Sequence, residues 1–392
     1  MIILCNYFLR RIKINKLIEI KELAHNKGDL INFINLPWKL YDDDPCWVPP
    51  IKSKLMATLL GKDNKLFDKG PHAFFMAYEN GKPLARALVG INERLNEKTK
   101  KKEGYISLFE TIPSEKIARL IFDQAIEWLK KRDINAIVGP VSPDNGDSDR
   151  GLLYQGFNGP PVIMNVYNPP YYATYFENYQ FVKYFDLFAY YFDLKNLQKL
   201  PSEKFIPVIQ YAMKKYNYRI DRINLANEEK EKRDLKKVID LAMPEILEFF
   251  IRPNLEELSA EINRLKPYLD PDLAYMARVG DEPIGFLIGF PDYHQVLKKL
   301  NGNLSLLSTL KYLWYKNKID GMRVYFQMVI PQYQNKAVAE AMYWYLFQAV
   351  KAKKYSFIEG SLIREDNEKS KICIEKAGGK LYRVYRVFRR KI

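Results

Sequence analysis

The chain has 392 residues, a formal net charge of +15 and 47% hydrophobic residues, which is enough for two domains that each bury a core. No apolar run approaches the roughly 20 residues that a membrane-spanning helix needs, and the first residues lack the charge order of a signal peptide. The three cysteines and three histidines are scattered, so no disulfide framework or metal-ligand spacing is indicated. We therefore expect a cytoplasmic globular protein that binds no metal.

The positive charge allows two interpretations. Attraction to a polyanion would suit nucleic acid, an anionic lipid surface or the phosphates of a nucleotide-like cofactor. The alternative is an ordinary solvated surface, because the lysines are spread along the chain and dense basic runs occur only at 98–102 and 386–391. We favour the second interpretation and expect no nucleic-acid partner.

The first part of the chain alternates strand and helix patterns. In chain order these are a strand at 12–24, a helix at 28–41 interrupted by Pro37, a hairpin at 73–91 with an Asn-Gly turn, a strand at 104–112, a helix at 115–131 and a strand at 135–141. A long irregular stretch at 140–172 follows, and then a short helix at 171–179 and a strand at 183–192.

The second part follows the same order after a junction at 194–206. Its elements are a strand at 217–225, one or two helices at 230–250, a hairpin at 273–290, a strand at 322–330, a helix at 337–354, a strand at 355–362, a short helix at 368–378 and a strand at 380–388. A repeated unit of this length predicts two similar domains. The expected fold is α/β, with a mixed sheet and packed helices in each of two domains, residues 1–195 and 206–392.

The two copies differ at one loop. Pro113 and Gly139 are 26 positions apart, whereas their counterparts Pro331 and Gly360 are 29 apart. The three extra residues fall in the loop at 332–336, which leaves a strand and opens a helix. Unpaired backbone N–H groups and the positive end of the helix dipole make such a loop suitable for a pyrophosphate. A plain strand-to-helix connection is the alternative.

This order of elements resembles the GNAT superfamily of acyl-CoA-dependent N-acyltransferases. In that family the loop after the central strand reads Gln/Arg-x-x-Gly-x-Gly/Ala and cradles the coenzyme A pyrophosphate. The residues that match by position are Gln334, Asn335, Lys336, Ala337, Val338 and Ala339, with Ala337 in place of the first glycine. Asn367 and the segment CIEKAGG at 373–379 resemble a later segment of the family. The segments at 36–50, 139–161 and 167–172 also resemble a group of bacterial GNAT-like proteins.

The resemblance implies two tandem GNAT-like domains, of which the second binds acetyl-CoA or another acyl-CoA. A backbone N–H near Val329 would then stabilise the oxyanion. Ile374 stands where the family often has a general-acid tyrosine. The first copy lacks the loop, and Glu115 at its helix start would repel a phosphate. We therefore expect the first domain not to bind coenzyme A.

Acyl transfer to an amine needs a base, an oxyanion donor and an acid for the leaving thiolate. Glu359 ends a strand beside the loop, and Tyr382 is the phenol nearest in sequence to Ile374. These two are the candidate catalytic residues, although a rim carboxylate and a sheet tyrosine are the simpler interpretations. The irregular stretch offers carboxylates and aromatic faces that suit a cationic or sugar-like acceptor. The candidate substrate residues are Asp144, Asp147, Tyr154 and Tyr171, and a loop pinned against the other domain is equally compatible.

Three hypotheses remain at this point. The first is an acyl-CoA-dependent N-acyltransferase that acts on a small-molecule or peptide amine. The second is a catalytically degenerate acyl-CoA-binding or scaffold protein of the same fold, which the residues at 337 and 374 would explain. The third and weakest is a nucleic-acid binder, suggested by charge alone. The sequence does not decide the oligomeric state.

Overall fold

The computed structural model describes residues 18–62, 64–144, 150–195, 206–243 and 251–392. Asp147, the junction at 196–205 and the end of the predicted helical region at 244–250 lie outside the described residues. Below, the first half means residues 18–195 and the second half means residues 206–392.

Strands and helices alternate through both halves. The strands are β1 Ile18–Leu23, β2 His72–Glu79, β3 Lys82–Ile91, β4 Glu103–Thr111, β5 Ala136–Gly139, β6 Leu152–Gln155, β7 Val182–Asp193, β8 Arg219–Arg222, β9 Ala274–Val279, β10 Glu282–Pro291, β11 Gly321–Val329, β12 Phe357–Arg364 and β13 Lys380–Lys391. The helices are α1 Lys27–Leu40, α2 Lys52–Leu59, α3 Glu93–Thr99, α4 Glu115–Lys130, α5 Tyr171–Asn178, α6 Ile206–Lys215, α7 Glu228–Ala242, α8 Leu255–Leu265, α9 His294–Leu300, α10 Leu306–Lys316, α11 Val338–Ala352 and α12 Glu368–Lys376.

The described strands form one continuous mixed sheet. Its order is β1-β2-β3-β4-β5-β13-β7-β12-β11-β10-β9-β8, and β6 pairs with β13 beside this path. The pairs β4–β5 and β11–β12 are parallel, and the other pairs are antiparallel. The mixed α/β prediction is therefore confirmed.

The final strands of the two halves are exchanged in the middle of the sheet. β7 ends the first half, yet it pairs with β12 of the second half. β13 ends the chain, yet it pairs with β5 and β6 of the first half, and β7 and β13 pair with each other. Side chains from both halves consequently share one small core, made of Leu153, Phe185, Leu187, Ala189, Tyr385 and Val387. The proposed boundary between residues 195 and 206 stays a prediction, because these pairings run across it.

The sequence patterns that predicted the longer elements have a direct structural reason. The helix predicted at 115–131 has an apolar stripe that is buried against the sheet, with Ile117, Ile121, Ala125 and Leu129 all nearly inaccessible. The hairpin of β2 and β3 turns at Asn80 and Gly81, whose φ values of 51° and 76° suit the tight turn that Asn-Gly favours.

Other elements differ from the predictions. The stretch at 140–172 is not wholly irregular, because β6 lies within it and pairs with β13, more than 200 positions further along the chain. Its four residues carry too short a pattern to indicate a strand without that partner. α2, α3, α6, α8, α9 and α10 were not predicted, and three of them have only seven or eight residues.

Phe388 tests the strand exchange. Its side chain is fully buried in the core of the first half, 5.3 Å from the ring of Phe176 between centroids. Phe388→Ala should lower the free energy of unfolding by about 3–5 kcal/mol, because it leaves a cavity. Urea denaturation measures this change, with the exposed Leu381→Ala on the same strand as control. A loss below about 1 kcal/mol for Phe388→Ala would contradict the placement of β13.

Candidate functional site

Strands β11 and β12 separate part of the way along their length. They pair in parallel from Gly321 with Phe357 only as far as Val324 with Gly360. β11 continues beside β10 to Val329, and Tyr325 is the extra residue of a β-bulge in that pairing. The result is an opening between the two strands, directly in front of the loop that follows β11.

The backbone N–H of Val329 points into this opening. Ile330 N–H donates to Ile284 O on β10 at 2.9 Å, and neighbouring residues of a strand point their N–H groups to opposite edges. The N–H of Val329 therefore points away from β10, toward the side from which β12 has separated. That this N–H stabilises an oxyanion stays a prediction.

The loop before α11 presents its backbone N–H groups outward. Asn335 and Ala337 have φ values of 62° and 55°, which turn the chain sharply into the helix. Tyr218 donates its hydroxyl to the carbonyls of Lys336 at 3.2 Å and Ala337 at 3.0 Å. These carbonyls thus point toward Tyr218, and the N–H groups of Ala337 and Val338, which are antiparallel to them across planar trans peptides, point away from Tyr218. Ala337 adopts the left-handed conformation for which the resembling family uses glycine.

Lys336 adds a positive charge to the loop. Its ammonium nitrogen lies 4.5 Å from the ring centroid of Tyr333 and 5.0 Å from that of Tyr216. No carboxylate in the described ranges forms an ion pair with it. The charge therefore remains available to a phosphate at the positive end of α11.

The first half has no comparable loop. α4 starts at Glu115, two residues after Pro113, whereas α11 starts seven residues after Pro331. Glu115 receives hydrogen bonds from Arg119 at 2.8 Å and Asn178 at 3.0 Å, so a carboxylate occupies the start of that helix. That the first half does not bind coenzyme A stays a prediction.

Glu359 is fully buried at the inner end of the opening. It lies one residue before the last paired residue of β12. Three side chains donate to its carboxylate: Asn165 at 2.6 Å, Ser361 and Tyr382. Burial and the Glu359 charge raise the pKa of Tyr382 well above its ordinary value. The two predicted catalytic residues are therefore in direct contact.

Asn165 belongs to the segment at 156–168, which covers this part of the sheet. Arg383 is buried and fixes the segment by donating to the carbonyls of Gly156 at 3.0 Å and Gly159 at 2.7 Å. Arg323 donates to the carbonyls of Ile163 at 2.7 Å and Ser361 at 3.2 Å. Both guanidinium groups thus bind backbone oxygens and hold the segment over Glu359.

Two further titratable groups lie beneath the same segment. Asp292 accepts a hydrogen bond from Ile163 N–H at 2.8 Å, and burial together with the charge of Glu359 raises its pKa to about 7. His294 shares a hydrogen bond with the carbonyl of Pro161 at 2.9 Å, and burial lowers its pKa to about 4. His294 is consequently neutral at physiological pH.

Asn165 leaves a polar atom unpaired beside Glu359. Its Oδ1 is buried and accepts no hydrogen bond from the described residues, whereas the side chains of Tyr385 and Arg383 bond to each other. Burial and the Glu359 charge raise the pKa of Tyr385, which places its hydroxyl near that carboxylate. Unpaired buried donors and acceptors are costly, so this cluster is suited to a polar ligand group.

The described candidate substrate residues Asp144, Tyr154 and Tyr171 make contacts with other residues than Glu359. Asp144 forms an ion pair with Arg264 at 3.0 Å. Tyr154 donates to Glu177 at 3.2 Å, and Tyr171 donates to a backbone carbonyl at 3.4 Å. Their role in substrate binding stays a prediction, and the structure does not bring them together.

Two residues of the later family-like segment have structural contacts. Asn367 caps α12 by accepting from Ser370 N–H at 3.2 Å, and its role toward the cofactor stays a prediction. Ile374 is 7% exposed and packs beside Gly360. No proton donor therefore stands at this position of the described chain.

Within the described residues, no cluster of three or more His, Cys, Asp or Glu side chains is arranged to hold a metal ion. Among the described helices, none combines the length and the apolar character needed to cross a membrane.

No protein-family model matches the sequence. Protein YghO of Escherichia coli K12 is 28% identical over 379 residues, which cover 94% of this chain and 94% of that protein. A bacterial ceramide synthase of Caulobacter vibrioides is 24% identical over 374 residues, which cover 92% of this chain and 94% of that enzyme. The similarity to both proteins thus extends through both halves.

Two solved structures share the architecture. A tandem GNAT protein from the clavulanic acid biosynthesis pathway matches with a TM-score of 0.58 and 10% identity, over 96% of this chain and 98% of that one. A GCN5-related N-acetyltransferase from Sphaerobacter thermophilus matches with a TM-score of 0.52 and 10% identity, over 95% of each chain. The fold is therefore that of the GNAT N-acetyltransferases. Its particular form is the tandem one, in which two GNAT-like units share a chain.

Asp292→Asn tests the electrostatics of the buried cluster. Because the pKa of Asp292 rises from 3.8 to about 7 on folding, the carboxyl favours folding while protonated, and that contribution is lost as pH rises between these values. The amide keeps the acceptor for Ile163 and does not titrate. Relative to that of the wild type, the free energy of unfolding of the variant should therefore rise by on the order of 3 kcal/mol between pH 4 and pH 8. Chemical denaturation at both pH values measures this, and a constant difference would contradict it.

Lys336→Glu tests the loop. Reversing this charge should weaken acetyl-CoA binding by about tenfold or more, since it places a carboxylate beside the phosphates. Calorimetry measures the affinity. Lys351→Glu, an exposed position in the last turn of the same helix, serves as a control with the same change in net charge. Equal affinities of the two variants would contradict the assignment of the loop.

Proposed function

We propose that this protein is an acyl-CoA-dependent N-acyltransferase whose second half holds the donor and whose reaction centre is Glu359. The observation that carries the proposal is a spatial one. The outward-facing N–H groups of Ala337 and Val338, a strand opening and a buried carboxylate with three donors follow one another along the same pair of strands. Acyl transfer from an acyl-CoA needs the same three parts in the same spatial order: a site for the pyrophosphate, a space for the thioester and a group that takes up a proton.

The loop suits a coenzyme A pyrophosphate, because the N–H groups of Ala337 and Val338 face away from Tyr218 and Lys336 forms no ion pair with a described carboxylate. An acyl-CoA would supply an activated acyl group as a thioester. The N–H of Val329 would donate to the carbonyl oxygen as negative charge develops there. Glu359 would hold the proton that the attacking ammonium must lose. Tyr382 keeps its proton at neutral pH and so donates to Glu359 throughout.

The acceptor that we propose is a long-chain amine of the sphingoid-base type. Support comes from the similarity to a bacterial ceramide synthase, which extends over 92% of this chain, because a ceramide is an N-acylated sphingoid base. The unpaired atom Asn165 Oδ1 beside Glu359 would accept a hydrogen bond from a hydroxyl group next to such an amine. The acyl chain would be longer than acetyl for a ceramide product.

A catalytically silent acyl-CoA-binding or scaffold protein is the second candidate. The observation that favours it is Ile374, which is buried and leaves no acid where the resembling family often has tyrosine. Under this alternative the loop would bind coenzyme A, but the thioester would not be consumed.

Glu359→Gln separates the two functions. The amide retains the size of the side chain but cannot accept a proton, so kcat should fall by about 10²–10⁴-fold. Acyl-CoA affinity should change by less than about threefold, because the loop is untouched. Thiol release from acetyl-CoA and palmitoyl-CoA measures turnover, with a sphingoid base, a small polyamine and a peptide amine as acceptors.

The control variant for this assay is Tyr382→Phe, which removes one donor but leaves the carboxylate, and it should lose less activity than Glu359→Gln. Turnover by Glu359→Gln at the wild-type rate would contradict the assignment of the base. Activity with the peptide amine alone would contradict the lipid acceptor. Acyl-CoA binding without thiol release from any acceptor would support the scaffold alternative.

A further inference from the structure

α10 carries an apolar face that no described part of the chain covers. The exposed side chains are Leu304, Leu306, Leu307, Leu310, Leu313 and Trp314, with exposed fractions of 57%, 88%, 73%, 64%, 48% and 65%. Large apolar side chains that are contiguous and this exposed are uncommon on a protein surface and indicate an interaction site.

The helix already has a separate inner face. Tyr312 and Tyr315 pack on a small core formed with Val296 and Leu300 of α9. On the opposite face, Leu306, Leu310 and Leu313 follow at helical spacing, and Leu307 and Trp314 form the neighbouring row. The leucine face is therefore additional to the packing that holds α10 in place.

The chain segment that carries this face is basic. Residues 293–319 contain five lysines and no aspartate or glutamate. No described carboxylate forms an ion pair with Lys311, Lys316 or Lys318 of this segment. The ammonium of Lys318 lies 4.5 Å from the ring centroid of Trp314. An apolar face with tryptophan and flanking lysines is the pattern of a helix that lies in the surface of a bilayer.

We propose that α10 docks the protein on an anionic lipid bilayer, with its leucines and Trp314 among the acyl chains and its lysines at the lipid phosphates. A second copy of the chain fits less well. A symmetric contact through the same face would bring two sets of lysines together without a carboxylate between them. Docking does not depend on the acyl-transfer function proposed above.

The turn between α9 and α10, residues 301–305, is fixed to the first half. Trp38 donates its indole N–H to Asn301 Oδ1 at 3.1 Å, and Lys52 N–H donates to Gly302 O at 3.0 Å. α9 connects this turn to His294, which contacts Pro161 in the segment that covers Glu359. A docked α10 would thus hold the bilayer one short helix away from the candidate site, where a lipid amine would enter.

Vesicle co-sedimentation of the full chain tests the docking. The wild type should bind vesicles of phosphatidylcholine with phosphatidylglycerol at least about tenfold more tightly than vesicles of phosphatidylcholine alone. Leu310→Glu should weaken binding by at least about tenfold. Ile372→Glu, which changes an exposed residue of α12 (48% exposed), is the matched control and should bind as the wild type does. Circular dichroism verifies the fold of both variants.

Trp314 provides an independent signal. Its emission should shift to shorter wavelength with anionic vesicles, and the shift should be absent in Trp314→Phe. Equal binding of Leu310→Glu and wild type would overturn the proposal, as would failure of the wild type to bind anionic vesicles. A dimer that Leu310→Glu dissociates, without vesicle binding, would assign the face to a second copy instead. The assay contains no acyl-CoA, so its result is separate from that of the activity assay.

Discussion

The antiparallel pairing of β7 with β13 is the contact on which the rest of the structure depends. Each of these strands ends one half of the chain, and each also pairs with a strand of the other half. This pairing joins the strands of the two halves into one continuous sheet. Side chains of β7 and β13, such as Leu187 and Tyr385, form a core that neither half could complete alone.

The same pairing positions the candidate site. β13 carries Arg383, whose guanidinium fastens the segment at 156–168 through backbone carbonyls. That segment delivers Asn165 to Glu359. Arg323 and Arg383 donate to backbone carbonyl oxygens, and the side chains that donate to Glu359 are the neutral Asn165, Ser361 and Tyr382.

Local patterns in the sequence were sufficient for the parts of the fold that local physics decides. The apolar stripes of α4 and α11, the Asn-Gly hairpin and the loop at 334–339 each depend on residues close together in the chain. Glu359 and Tyr382 were also predicted, although their direct contact was not. Asn165 and Glu359 are 194 residues apart, and no spacing rule connects them. The exchange of β7 and β13 is equally hidden, because an alternating strand has the same pattern whichever partner it pairs with. α10 could have been found from its basic, leucine-rich composition, but its outward leucine face needed the contacts of its inner one.

The central claim is that the second half alone binds an acyl-CoA, in the opening between β11 and β12. Hydrogen–deuterium exchange with and without a non-hydrolysable acyl-CoA analogue measures this most directly. The account predicts slower exchange at residues 326–339 and 359–363, where free N–H groups acquire acceptors and the opening is filled. It predicts no change at residues 111–118, the corresponding part of the first half. Protection at 111–118, or no protection at 326–339 with saturating ligand, would contradict it.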